Sequence, residues 1–325
     1  MRRRMRFIIA PVAMLALFAA ACAEDDGAEV RTLDEGEGSV SVSASGTGSA
    51  SATGLSLEEF EGGTDNPLVQ EAVDGYKAYV VEQIDAMIAG NAVFADAIRA
   101  GDLDAAQAAY APARVEWERI EPIAGLIEEI DGAVDSRVDD FEGPDDPEFT
   151  GWHRIEYILF ELGTTDGAAP FADQLEADLQ TLKEGMAALE LPPAAVAVGA
   201  AELIEEVSEG KITGEEDRYS KTDLWDFNAN VEGAQSVIEL LTPALQQADP
   251  DLLNDINAGF LELNGTLSGL RDGDGWVLYC QENDPFPSPL CPEVTVTQDT
   301  VDLLKAQLAG LSENISLTAG ALGLS

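Results

Sequence analysis

The chain of 325 residues contains one histidine, His153, and Glu156 follows it three positions later in Thr150-Gly151-Trp152-His153-Arg154-Ile155-Glu156. On a helix, residues at i and i+3 project from one face, so an imidazole and a carboxylate converge where a metal ion could be held. The same spacing also fits a surface ion pair or a buried hydrogen bond. A second pair, Glu118 and Glu121, stands three apart in YAPARVEWERIEP, and Asp131 and Asp135 follow at i+4 in EEIDGAVDSRVDD. One imidazole with several carboxylates suits iron, manganese or zinc and disfavours Cu(I), which prefers sulfur. The competing use of these acids is in salt bridges with Arg114, Arg119, Arg137 and Arg154, and those arginines could equally orient metal ligands.

A single histidine excludes much other chemistry. Sites with two or three His ligands, including the H-E-x-x-H helix of zinc proteases, cannot be built within one chain. A Ser/His/Asp triad would have to use His153, and no G-x-S-x-G elbow accompanies it.

The elements that must position these residues read as helices. Tyr76, Val80, Ile84, Met87, Phe94 and Ile98 recur mostly at steps of three and four, and Gly101-Asp102 ends that run and starts another. Similar periodicity spans about 103–121, 150–161, 170–187, 193–208, 222–246, 249–270 and 298–320. Only Trp276–Tyr279 and Val294–Thr297 look extended, so helix packed on helix is the expected architecture. Trp117, Trp152, Trp225 and Trp276 fall at helical spacing and are expected in the core.

Composition narrows the partners. Seventeen Lys+Arg against 62 Asp+Glu give a formal charge of -45, which repels nucleic acid and anionic lipid headgroups and concentrates cations near any carboxylate-lined cleft. Arg2, Arg3, Arg4 and Arg6 precede an apolar run from Phe7 to Phe18 that ends in Ala19-Ala20-Ala21-Cys22, the pattern of an export signal over residues 1–21. It resembles a bacterial lipoprotein signal in which Cys22 carries the lipid, and an ordinary cleaved signal is the alternative. The apolar run is shorter than the roughly 20 residues of a membrane-spanning helix, so lipid would be the only membrane anchor, on the outer face of the cytoplasmic membrane. Residues 22–60, rich in Gly, Ser, Thr and acid, read as a flexible tether. In an exported, oxidising setting Cys280 and Cys291 are expected to form a disulfide around a Pro-rich loop; a metal pair has no nearby histidine to support it.

YAPARVEWERIEPIA, the Asp131-to-Arg137 D-x-x-x-D-x-R stretch, TGWHRIE, and KITGEEDRYSKTDLWDFNANVEGA from Lys211 resemble the imelysin-like, peptidase-labelled family, in particular its EfeO-type iron-uptake lipoproteins. The resemblance covers about 66–320. It implies an all-α fold of two packed four-helix bundles over residues 61–325, with a metal site in the cleft between them. It implies iron as Fe2+ or Fe3+ (Zn2+ or Mn2+ also binding in vitro), delivery to an iron permease in the cytoplasmic membrane, and a haem peroxidase-like protein beside it in complete systems. The family's metal residues carry over as His153 and Glu156, with Glu118, Glu121 and Asp135 as companions and Glu216 from the second half. Thr213 and Glu216 also satisfy a T-x-x-E capping box. Long members carry an N-terminal cupredoxin domain, for which residues 22–60 are too few and too polar, so this resembles the short form. Lys221 stands where many relatives carry histidine, and the Cys280–Cys291 insertion is a further departure. The expected role is metal capture, without catalysis. The alternatives are a metal-dependent peptidase with Glu156 or Glu121 as base and a protein that binds acidic polysaccharide through bridging metal.

Overall fold

The computed structural model describes residue 60 and residues 62–324. The expected signal segment, the lipid-bearing Cys22 and the tether up to residue 59 lie outside the described residues.

Helix α1 (Pro67–Ala100) begins where the Asn66 side chain accepts a hydrogen bond from the Leu68 N–H at 3.0 Å and Pro67 occupies the first turn. It ends at Gly101, whose φ of +71° suits the left-handed cap that stops a helix. The residues Tyr76, Val80, Ile84, Met87, Phe94 and Ile98 that carry its periodicity are all buried. Asp102 then caps α2 (Leu103–Glu118), accepting from the Ala105 N–H at 3.1 Å.

The helix expected to run to residue 121 stops at Glu118, and Glu121–Leu126 forms a separate 3-10 turn. The cause is Pro122, which has no N–H to donate to the carbonyl of Glu118. That carbonyl instead accepts from the Asn230 side chain at 3.0 Å. A short helix the periodicity had not indicated, α3 (Glu128–Val134), follows and ends at Asp135.

Next come α4 (Gly151–Glu156), which widens into a π-helical turn over Tyr157–Glu161, then α5 (Ala169–Met186) and α6 (Pro193–Glu209). The series closes with α7 (Asp223–Ala248), α8 (Pro250–Ser268) and α9 (Gln298–Leu322). The Leu159 carbonyl within the π turn is satisfied by Gln107 at 2.8 Å. α1, α2, α4 with its π turn, and α5 form one four-helix group, and α6 to α9 form the other. Helix α7 packs on α1 and α2 as well as on its own group, so the two share a wall. A Cβ on Gly233 of α7 would lie 2.4 Å from the Arg119 carbonyl, so only glycine lets α7 approach the end of α2 this closely.

Extended structure among the described residues is small. Strands β1 (Arg271–Asp272) and β2 (Gly275–Trp276) pair as an antiparallel hairpin, and Gln281 bridges Val296. Cys280 and Cys291 form the expected disulfide, with Cα atoms 5.3 Å apart. One continuous apolar core runs through both helix groups. Each fully buried Leu, Ile or Phe in it contributes about 1.5–3 kcal/mol. Trp117, Trp152 and Trp276 are buried as expected, and Trp225 packs partly buried against the core. No described helix is long and apolar enough to cross a membrane.

Gly151 opens α4 with φ +75°, and a Cβ there would lie 2.1 Å from the Val134 carbonyl oxygen. Gly151→Ala is expected to lower stability by about 2 kcal/mol or more, through backbone strain and overpacking together. Urea unfolding of the two proteins checks this.

Candidate metal centre

Three parts of the chain bring the charged residues together. Helix α2 supplies Tyr110, Arg114 and Glu118; the end of α3 supplies Asp135; and α4 supplies His153 from its first turn and Glu156 from its last residue. The irregular segment between α6 and α7 and the start of α7 close the opposite side with Lys211, Glu216, Asp217, Asp226 and Asn230, all buried. Thr213 and Glu216 do not form a capping box. Thr213 ends a 3-10 turn at Gly214, and the Glu216 side chain turns inward to Arg137, Arg114 and His153.

The His153 ring is held between two sets of oxygens. Its Nε2 lies 3.4 Å from Asp135 Oδ1 and 3.5 Å from Glu216 Oε1, as ionic contacts rather than hydrogen bonds, and has no hydrogen-bond partner. Its Nδ1 faces Glu156 Oε2 at 3.4 Å and the Tyr110 hydroxyl at 3.5 Å. Glu156 Oε1 accepts from the Tyr219 and Ser220 backbone N–H groups at 2.9 and 2.7 Å, which fixes that carboxylate against the ring. Trp152 beside His153 is anchored through its Nε1 to Asn91, and its ring packs on Trp117 with centroids 5.7 Å apart. The Trp117 Nε1 in turn donates to Asp135 Oδ2 at 2.9 Å.

Arg114 sits at the middle of this arrangement with no exposed surface. Its guanidinium donates to Asp135, Glu118 and Glu216, and also lies 3.5 Å from Asp226 and 3.8 Å from Asp217. Lys211 is equally buried, 2.9 Å from both Glu118 and Glu121 and 3.6 Å from Glu216. Arg137 pairs with the second oxygen of Glu216. The carboxylates gathered here, Glu156 included, outnumber the three permanent cations.

The surplus negative charge sets the proton affinities. Burial and Arg114 both act to lower the His153 pKa, but the carboxylates of Asp135, Glu156 and Glu216 outweigh them and hold it well above its ordinary value. Burial alone would raise Glu216, yet Lys211, Arg137 and His153 bring it well below the usual range. Burial followed by Asp217 and Glu118 pushes Asp226 well up, and neither of its oxygens has a hydrogen-bond partner. Burial and Glu118 likewise raise Glu121 against the pull of Lys211. Without a bound cation, the centre therefore holds protons on His153 and on part of its acid set.

Three groups have ligand atoms close enough for one ion: Asp135, His153 and Glu216; His153, Glu156 and Asp217; and Glu118, Glu121 and Asp135. All six residues expected as ligands thus fall in one continuous cluster, but not in one shell. Glu118 and Glu121 sit across Arg114 and Lys211 from the imidazole. Asp131 belongs to none of the groups, and burial with the Asp135 charge lifts its pKa to about 7. Among the arginines, Arg114 and Arg137 enter the cluster, Arg119 pairs with Glu116 and Glu232, and Arg154 lies against the rings of Phe149, Tyr157 and Phe171. The sequence reading missed Tyr110, Lys211, Asp217, Asp226 and Asn230 as members of the centre. For Asp226 and Asn230 there is a signal, in that the polar side chains at 223, 226 and 230 share a face of α7 that is otherwise apolar.

The family model described as imelysin matches residues 72–316. The chain belongs to the imelysin family. Its curated relatives include the iron uptake system component EfeO of Escherichia coli O157:H7, 44% identical over 254 residues. The proteins of the same name from Escherichia coli K12 and Shigella flexneri are 43% identical over the same length. These matches cover 78% of this chain and 64% of each relative, so the imelysin-family chain spans somewhat less than two thirds of the relatives it matches. Its all-helical fold is the one expected of the family.

Removing Arg114 would leave several buried carboxylates without their shared counter-charge. Arg114→Met is expected to cost about 3–5 kcal/mol of stability at neutral pH. The loss should shrink as pH falls, because protons taken up by the orphaned carboxylates replace the missing cation. Urea unfolding at pH 7 and pH 5 measures both effects.

Proposed function

We propose that this chain is the exported, lipid-anchored iron-binding component of an iron uptake system of the EfeO type. In this reading the helical domain, residues 61–325, captures iron and passes it to a permease in the cytoplasmic membrane, with a haem peroxidase-like protein as a partner in complete systems. The name of its relatives as iron uptake system components supports the cargo. The observation that carries the site is the buried Nε2 of His153, which makes no hydrogen bond and faces Asp135 and Glu216 at 3.4 and 3.5 Å inside a cluster where other cations are already paired.

Iron is the cargo, and the donor chemistry suits it: one imidazole and carboxylate oxygens favour hard or borderline cations. Asp135, His153 and Glu216 form the capture triangle. Glu156, whose other oxygen is held by two backbone N–H groups, orients the imidazole from its Nδ1 side. Arg114 and Lys211 keep the remaining carboxylates compact, and Glu118 and Glu121 provide a second carboxylate pair near Asp135. Since the empty site holds a proton on His153, a metal ion must displace it. The sign follows: affinity falls as pH falls, which gives a route to release. The acidic surface draws cations toward the domain. This is binding chemistry, and the same residues serve Zn2+ or Mn2+ in vitro.

His153→Ala is expected to weaken iron binding about tenfold or more with far-UV circular dichroism unchanged. Equal affinity in the variant would contradict the assignment. Calorimetry in buffers of different ionisation enthalpy should show release of about one proton or more per iron bound near neutral pH. Binding without proton release would contradict the charge account.

A further inference from the structure

Lys221 is the one non-glycine residue with positive φ among the described residues, at +62°, and it is fully buried. An L side chain rarely adopts that conformation, so neighbouring contacts must hold it there. Its N–H donates to the Asp217 carbonyl at 2.7 Å, and its own carbonyl accepts from the Tyr279 N–H at 2.8 Å. Its ammonium lies 2.7 Å from Asp284 Oδ2, an ion pair rather than a well-aligned hydrogen bond. Asp284 belongs to the loop closed by the Cys280–Cys291 disulfide. The same loop stacks Phe286 under the Arg218 guanidinium at 4.4 Å, and Tyr279 just before it donates its hydroxyl to the Ile212 carbonyl at 2.8 Å.

These contacts grip the 212–221 segment at both ends. Between them lie Glu216, which faces His153, and the Tyr219 and Ser220 N–H groups that fix Glu156 against the imidazole. We propose that Lys221 is a positioning residue for the metal centre: paired with Asp284, it locks the 216–220 turn so that Glu216 and Glu156 both face His153. The disulfide loop is thereby part of the metal-holding apparatus without touching the ion. This inference rests on the reading of the His153 cluster as an iron site.

The test uses the whole protein and four variants: Lys221→Asn, which tolerates the left-handed backbone but removes the charge, Asp284→Asn, the double variant, and Lys221→Arg. Iron affinity and thermal unfolding are measured side by side. Lys221→Asn and Asp284→Asn are each expected to weaken iron binding about tenfold, with the double variant no worse than either and Lys221→Arg close to wild type. Asp284, half-buried in a surface loop, keeps the test open if the Lys221→Asn variant does not fold. Lower melting temperatures with wild-type iron affinity in the folded variants would overturn the proposal, because a purely structural pair moves stability alone. Failure of the wild-type protein to bind iron would instead overturn the reading of the site, and this inference with it.

Discussion

The buried guanidinium of Arg114 organises the centre of this protein. A fully desolvated cation is sustainable only when carboxylates surround it, and the carboxylates so gathered cannot all be ionised in an interior of low polarizability without more positive charge. Arg114 contacts acids from α2, from the end of α3 and from both sides of the α7 start. It therefore ties four regions of the chain to one point. Lys211 and Arg137 extend the arrangement, and the charge deficit that remains is met by protons on His153 and selected acids.

Much of the local backbone is explained by the need to reach that point. Pro122 interrupts α2 so that Glu121 swings out of the helical register, and Asn230 fills the gap by donating to the freed Glu118 carbonyl. Gly151 permits a left-handed start to α4 hard against Val134, which sets His153 on the first turn facing Asp135. Gly233 lets α7 close on the end of α2. The indole chain from Asn91 through Trp152 and Trp117 to Asp135 then joins the apolar core of the first helix group to the ionic cluster.

The helices were legible in the sequence because apolar side chains at steps of three and four have no other economical use in a chain this acidic. Gly101 and Asp102 marked ends that the structure keeps. His153 and Glu156 were legible because there is one histidine and the i+3 spacing forces the two to one face. The C-terminal end of the α2 run was not, since periodicity continues across Pro122 while the backbone cannot. Nor were Lys211 and Asp217: they lie about a hundred residues from Arg114 in sequence, and nothing in their local pattern marks them as buried. Thr213 and Glu216 show that spacing alone left two uses open for Glu216, a capping box or the charged cluster, and its carboxylate turns to Arg137 and Arg114. The pairing of Lys221 with Asp284 depends on a loop closure that spacing alone does not reveal.

The central claim is that a metal ion replaces protons at the face of His153 that has no hydrogen-bond partner. Crystals of the iron-loaded protein, with anomalous diffraction recorded on either side of the iron edge, test it most directly. The account predicts an anomalous peak within bonding distance of His153 Nε2 and the carboxylates of Asp135 and Glu216, with Arg114 still in place. A peak confined to surface acids, with the His153 imidazole still facing its carboxylates unbridged, would contradict it.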